Sequence, residues 1–426
     1  MNNKVTMEQK NKLIPELRFP EFVKDGTWEE KELGEICDYW NGSSHESGVI
    51  ENGIYSLISL NSIDIEGKLK KEMKTISYTD NSLKLNDLVM VLSDVAHGNF
   101  LGLTDIIPSN NYVLNQRMAG LRIKNNELYN PTYIRSYINN NQDYFKKKGQ
   151  GSSQLNLSKS SVTEFTILVP KPTEQQKIAD CLSSLDEVIT AHSEKLDALQ
   201  NHKKGLLQNL FPQENQKVPN YRFPEFVNDG EWEEKRLGEI CILVRGPFGG
   251  ALKKEIFVNQ GYAIYEQSHA IYSDFSNFRY RINDEKFNEL KRFSVKAGDL
   301  IMSCSGTMGK FAIVPKEYEK GVINQALLKL TAKNGFDNQF VKISLETENN
   351  QEKLLSQSAG GAIKNVVSVS QIKELKLAIP QFKEQQKIAD CLSAVDSLIT
   401  AQTEKIAQLK THKKGLMQGL FPHITA

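Results

Sequence analysis

The chain has 426 residues, 39% of them hydrophobic and 25% charged, with a formal net charge of +1. These values fit a globular protein of roughly two to four domains. They exclude a membrane-spanning chain, since no apolar run approaches the 18 or so residues a span requires. A near-balanced total also gives no overall basic field for a nucleic acid.

In chain order, residues 1–14 read as a polar, frayed leader without the apolar core of a secretory signal. A frame opens at Arg18-Phe19-Pro20-Glu21-Phe22-Val23 and runs to Cys37, its Trp28 segment passing through an amphipathic turn into a first strand. Leu88 to Leu92 follows an Asn-Asp turn and reads as a buried strand, Pro131 to Lys147 as a helix, and Glu164 to Pro170 as a final strand. Pro172-Thr173-Glu174 then signals the start of a long helix. From Ile178, positions Leu182, Leu185, Ile189, His192, Leu196, Leu199, Lys203 and Leu206 step alternately by three and four, which is a heptad seam. Such a helix runs about 30 to 35 residues, or roughly 45–52 Å. Gly205 weakens its last turn and Phe211-Pro212 stops it.

The pattern then returns. Arg222 to Cys241 repeats Arg18 to Cys37 with 17 of 20 positions identical, and Glu384 to Pro422 repeats Glu174 to Pro212 with 26 of 39 identical. In the second copy Leu300 to Ser303 and Lys310 to Pro315 read as strands, Asn338 to Gln357 as a helix, and Glu374 to Pro380 as the closing strand. The second seam is Leu392, Val395, Ile399, Gln402, Ile406, Leu409, Lys413 and Leu416. His192 and Gln402 hold the same seam position and read as tolerated polar residues at a partly wet layer. The roughly 140 residues between the frames match poorly from one half to the other.

The expected fold class is α+β. Two mixed α/β domains, residues 15–172 and 221–381, are separated by two long antiparallel coiled-coil helices, residues 173–212 and 382–422. A linker at 213–220 joins the halves and gives the chain a pseudo-two-fold internal repeat. Two near-identical frames carrying unlike inserts fit one scaffold that presents two different recognition surfaces.

Catalytic signatures are scarce. No phosphate-binding loop of the G-x-x-x-x-G-K-[ST] type, no G-x-G-x-x-G and no H-E-x-x-H occurs, and the N-P-P-Y signature of amino-methyltransferases is missing. Gly306-Thr307-Met308-Gly309-Lys310 reads as a tight turn between strands. The five cysteines, Cys37, Cys181, Cys241, Cys304 and Cys391, form no C-x-x-C pair, so a metal site has no support; they read as small buried residues in a reducing cytoplasm. The chain is expected to do no chemistry itself.

Recognition features lie in the inserts. Lys and Arg against Asp and Glu number 14 to 13 in residues 38–173, 20 to 14 in residues 242–383, and 19 to 25 in the frames. The glycine-rich loop from Arg245 to Lys253 and Lys254 can bring amides and cations to phosphates. Arg279, Tyr280 and Arg281 interleave an aromatic with arginines, and Arg suits guanine edges. In the first insert the basic clusters are Lys68, Lys70, Lys71 and Lys74, then Lys146, Lys147 and Lys148. An Asn-Gln pair recurs at Asn115-Gln116 and Asn324-Gln325; shared by both halves, it reads as structural or backbone-contacting.

R-F-P-E-F, W-E-E-K-x-L-G-E-I, E-Q-Q-K-I-A-D-C-L-S and H-K-K-G-L-[LM]-Q-x-L-F-P, each present twice, resemble the specificity subunit of type I restriction–modification systems over nearly the whole chain. The resemblance implies two target recognition domains, each reading half of a bipartite sequence in double-stranded DNA, and an antiparallel coiled coil that spaces them like a ruler. It also implies partners: two copies of an adenine-N6 methyltransferase subunit and a restriction subunit. S-adenosylmethionine, ATP and magnesium would serve those partners, with no cofactor in this chain and no membrane. A DNA-recognition module of another phage-defence system, or a duplicated coiled-coil scaffold without DNA, remain alternatives.

Overall fold

Pro172–Leu210 and Phe382–Leu420 are single α-helices of 39 residues each. They are longer than the seam predicts because Gly205 and Gly415 lie inside the final turns without ending them. The computed structural model describes residues 13–95, 98–248, 250–356 and 368–422. Nearly all of the leader, Gly249 of the glycine-rich loop and Gln357 therefore lie outside the described residues. Contacts divide the chain into two compact units, Met1–Ser193 with Glu404–Ala426, and Glu194–Thr403. Each unit thus takes one half of each long helix.

Within each unit the two half-helices run antiparallel. In the first unit Ile178 and Leu182 share a core with Leu416, Met417, Leu420 and Phe421. Asp186, further along the first helix, meets Lys413, earlier on the second, at 2.7 Å. In the second unit Ile388, Ala389 and Leu392 share a core with Leu206, Leu207, Leu210 and Phe211, and Lys203 meets Asp396 at 2.6 Å. Leu182, Ile189, Leu392, Val395 and Gln402 are buried, and Leu185, His192, Leu196, Leu199, Ile399, Ile406 and Leu409 are half-buried. Glu187, Ala191, Lys195 and Ala198 on the outer face are exposed. A seam shielded by one partner helix alone gives this partial burial.

The inserts diverge in sequence yet share a topology. In the first unit a four-stranded antiparallel sheet runs in the order Cys37–Asn41, Met118–Ile123, Leu88–Val91, Thr104–Ile106; in the second the order is Cys241–Arg245, Leu327–Ala332, Leu300–Ser303, Phe311–Ile313. Beside each lies a second sheet, four-stranded in the first unit and three-stranded in the second, with one parallel pair, Tyr55–Ile58 with Tyr112–Leu114 and Tyr262–Tyr265 with Gly321–Ile323. A separate two-stranded ribbon joins each frame to the end of its insert, Glu29–Glu32 with Thr166–Val169 and Glu233–Arg236 with Lys376–Ile379. Central strands such as Leu88–Val91 and Leu300–Ser303 are buried at every position, which explains their unbroken apolar reading.

The two shorter helices predicted in the inserts are each broken in two. Pro131–Asn140 and Gln142–Lys148 part at Asn141, whose side chain donates to the carbonyl of Tyr137 at 2.9 Å. Asn338–Glu346 and Glu348–Ser356 part at Thr347, whose hydroxyl donates to the carbonyl of Ser344 at 2.9 Å. The Thr347 hydroxyl takes up a carbonyl that a continuing helix would have bonded, whereas the Asn141 side chain adds a second bond to the carbonyl its own amide already reaches at 3.2 Å. Burial pushes the thiols of Cys37 and Cys241 up to about 12, which suits inert core residues. No helix among the described residues is long and apolar enough to cross a membrane.

Candidate nucleic-acid interface

Strand register gathers several loops of each unit at one sheet edge, and the recurring Asn-Gln turn is their hub. In the second unit Arg245 lies opposite Leu328, Ser303 opposite Leu327, and Tyr265 opposite Ile323. The chain leaves or enters all these strands at the same edge. Gly246 N donates to Leu327 O at 3.0 Å, Asn324 N to Tyr265 O at 3.0 Å, and Cys304 N to Ala326 O at 2.8 Å. The first unit repeats each bond: Gly42 N to Met118 O at 2.9 Å, Asn115 N to Ile58 O at 2.9 Å, and Leu92 N to Arg117 O at 3.0 Å. Gly42 and Gly246 are required there, because a Cβ at either would collide with the backbone carbonyl of Asn115 or Asn324.

Side chains on this shared backbone differ. Asn115 is buried, accepts from the amide of His45 at 3.0 Å and donates to Glu46 at 2.8 Å. Lys74 closes on the other oxygen of Glu46 at 2.7 Å and, by that hydrogen bond first, holds its carboxyl below the usual range. Gln116 and Arg117 project from the turn, Arg117 in the left-handed region at φ 68°. Asn324 instead caps its own turn by accepting from Ala326 N at 3.0 Å, and Arg245 Nε donates to Gln325 O at 3.0 Å. Arg117 is not among the candidates read from the sequence; the signal that could find it is its place directly after the repeated Asn-Gln.

The basic residues separate into different settings. Lys146, Lys147 and Lys148 end the helix whose first residue, Gln142, donates to the carbonyls of Asn99 and Leu101. Just beyond them, Gln154–Asn156 pairs with Ser93–Val95, so the cluster adjoins the loop that follows Leu88–Val91. Lys68 turns away to Asp186 of the long helix at 3.1 Å, an internal tether. Lys70 and Lys71 are exposed between Lys68 and Lys74. In the second unit Lys253 and Lys254 are exposed beyond the glycine-rich loop, whose Phe248 is 69% exposed.

Arg279 and Arg281 are not equivalent. Arg279 reaches Glu266 at 2.9 Å, lies over the Tyr280 ring at 4.4 Å, and keeps an exposed side chain. Tyr280 stacks on Phe257 at 4.4 Å. Arg281 forks onto both oxygens of Glu319 and onto the carbonyl of Gly261. That hydrogen bond holds the Glu319 carboxyl below the usual range. Arg281 thus fastens the small sheet, while Arg279 faces solvent.

The family model for the type I restriction modification DNA specificity domain matches residues 25–201 and again residues 229–411. The chain belongs to that family. As a type I specificity subunit it carries two target recognition domains, one in each unit. The MjaVIII specificity subunit of a type I restriction enzyme from Methanocaldococcus jannaschii is 23% identical over 97% of this chain and 95% of its own length. A putative MjaX specificity subunit from the same organism is 22% identical over 94% and 97%. In fold, the chain is similar to the S subunit of a type I restriction–modification system from M. genitalium, with a TM-score of 0.62 at 15% identity, covering 97% of this chain and all of that one. A second solved chain of a type I system gives 0.54 at 17% identity, over 92% and 97%. In this specificity subunit the Asn-Gln edge presents one backbone and two unlike sets of side chains.

Proposed function

We propose that each unit reads one half of a bipartite duplex target with the loops of its Asn-Gln edge. The supporting observation is the duplication of that edge, bond for bond, with different exposed side chains in each copy. Matched backbones present two half-sites in the same manner, while Arg117, Gln116 and the Lys146–Lys148 cluster on one side, and Lys253, Lys254, Arg279 and Phe248 on the other, make the readings differ. Cations contact phosphates and fix register, and base edges are read by the loop tips.

The long helices carry the partners in this reading: two methyltransferase subunits and a restriction subunit in the cytoplasm. S-adenosylmethionine, ATP and magnesium act in those partners, and this chain supplies recognition without chemistry. Genome-wide adenine methylation compared with the chain present and deleted tests it. One bipartite motif is expected to lose its marks; an unchanged pattern overturns the reading.

A further inference from the structure

Six described residues other than glycine have a positive φ: Asn52, Asn81, Asn86, Arg117, Asn215 and Ser273. Asparagine tolerates that region, and Ser273 is the residue on which the helix Gln267–Tyr272 ends. Arg117, at φ 68°, is the exception, a long side chain held in a conformation that crowds its Cβ. The hub does not demand this. In the second unit Ala326 holds the same place, its carbonyl accepting from Cys304 N as that of Arg117 accepts from Leu92 N, and its φ is not positive.

The asparagine that opens each turn accounts for the difference. Asn324 turns its side-chain oxygen back onto Ala326 N at 3.0 Å. In the first unit that oxygen points inward to His45 N at 3.0 Å, and the side-chain nitrogen of Asn115 is fixed on Glu46 at 2.8 Å, itself held by Lys74. Arg117 is left exposed, and no hydrogen bond or ion pair engages its guanidinium among the described residues. Carboxylates on the adjoining loops are already taken, Glu46 in this way and Asp94 by the amides of Val95 at 2.7 Å and Phe100 at 2.8 Å.

A guanidinium offers paired donors and no acceptor, so its best complement is two acceptors side by side. On a duplex these are the O6 and N7 of guanine or two oxygens of a phosphate. A phosphate contact needs only charge within reach, and the exposed Lys147 and Lys148 supply that from an ordinary helix end. A strained backbone instead fixes a direction, and direction matters for a base edge. We propose that Arg117 reads a guanine in the half-site of the first unit, positioned by Asn115 and Glu46, and that the second unit, with Ala326 in that place, lacks the equivalent contact. This rests on the half-site reading above and deepens it.

The test measures DNA binding by the assembled complex, on duplexes carrying the bipartite motif taken from genomic methylation. Each guanine of the motif is exchanged in turn for 7-deazaguanine, which lacks the N7 acceptor. Wild type is expected to lose about tenfold or more in affinity on exchange of at least one guanine. Arg117→Gly removes the side chain and suits the positive φ. It is expected to bind the unaltered duplex about tenfold or more weakly and to be indifferent to that one exchange, while its discrimination at the other positions persists. A variant that still distinguishes every exchange, or none, overturns the assignment. A fall of about 0.9 in the slope of log affinity against log salt, with discrimination intact, would mark a phosphate contact instead. A motif without guanine on either strand, or a wild type that tolerates every exchange, also overturns it. A wild-type complex that binds motif and scrambled duplexes alike overturns the half-site reading itself.

Discussion

Arg18 and Glu174, 156 positions apart, form a two-point ion pair that locks the opening turn of the first frame to the first turn of the long helix. Arg18 Nε and Nη2 donate to the two Glu174 oxygens at 2.8 and 2.7 Å, and Nη1 donates to the carbonyl of Gly26 at 2.6 Å. Arg222 and Glu384 repeat the arrangement at 2.7 and 2.7 Å, with Gly230 at 2.6 Å. Their side chains are nearly inaccessible, at 6% and 1% exposure in the first pair and 8% and 1% in the second. Removing one partner leaves a buried charge alone. Glu174→Ala is therefore expected to cost about 3–5 kcal/mol, and the Arg18→Ala, Glu174→Ala double variant less than the sum of the singles. Chemical denaturation of the four chains of this cycle checks it.

Asp186 makes one part of the helix pairing pH-dependent. Burial pushes its carboxyl up, but the hydrogen bond and charge of Lys413, followed by Lys68, outweigh burial and leave it below its ordinary value. With the folded pKa below the unfolded one, the stabilisation is complete above about pH 4 and drains away as pH falls through the folded value. Lys413→Met is expected to destabilise the chain at neutral pH, with the gap from wild type narrowing under acid conditions. Thermal unfolding between about pH 7 and 3 measures both chains across that window.

In the first unit Leu17 and Gly419 meet where the second unit has a linker between the equivalent residues. Leu17 N donates to Gly419 O at 2.8 Å, and the equivalent Tyr221 N donates to Asn209 O at 2.9 Å. Tyr221 and Asn209 are joined by residues 213–220. A permuted chain, opened in that linker and joined from Pro422 to Leu13 by a copy of residues 213–216, is expected to fold with a thermal midpoint within about 4 °C of wild type. A large drop or loss of helicity in circular dichroism would contradict it.

Gly42 and Gly246 should each control one edge. A methyl at either meets the backbone carbonyl of Asn115 or Asn324, so the loop must give way. Gly42→Ala and Gly246→Ala are expected each to weaken DNA binding by the assembled complex about tenfold or more, through one half-site. Competition with duplexes altered in a single half-site would show which half each variant no longer distinguishes.

The two arginines flanking Tyr280 should part company. Arg279→Ala is expected to reduce the slope of log affinity against log salt by about 0.9, the share of one phosphate contact. Arg281→Ala should leave that slope alone and cost less than about 1 kcal/mol of stability, since its pair with Glu319 is partly solvated. Salt titrations of DNA binding separate them.

The sequence by itself determined the elements whose signals are local. The heptad seams, the Phe-Pro stops, the buried strands Leu88–Val91 and Leu300–Ser303, and the duplicated frames were legible because helix and strand periods repeat over a few residues. The family was legible for the same reason, since its motifs are short and occur twice. Only the tertiary structure decided what depends on partners far along the chain. It joined Arg18 to Glu174, tied Lys68 and Arg281 into ion pairs, and kept Arg279 at the surface. It also showed that inserts with little sequence in common share the strand order of their main sheet and one Asn-Gln hub. Backbone hydrogen bonds and burial fix that hub, and many different side chains satisfy them, so the likeness is written in strand pairing rather than in residue identity.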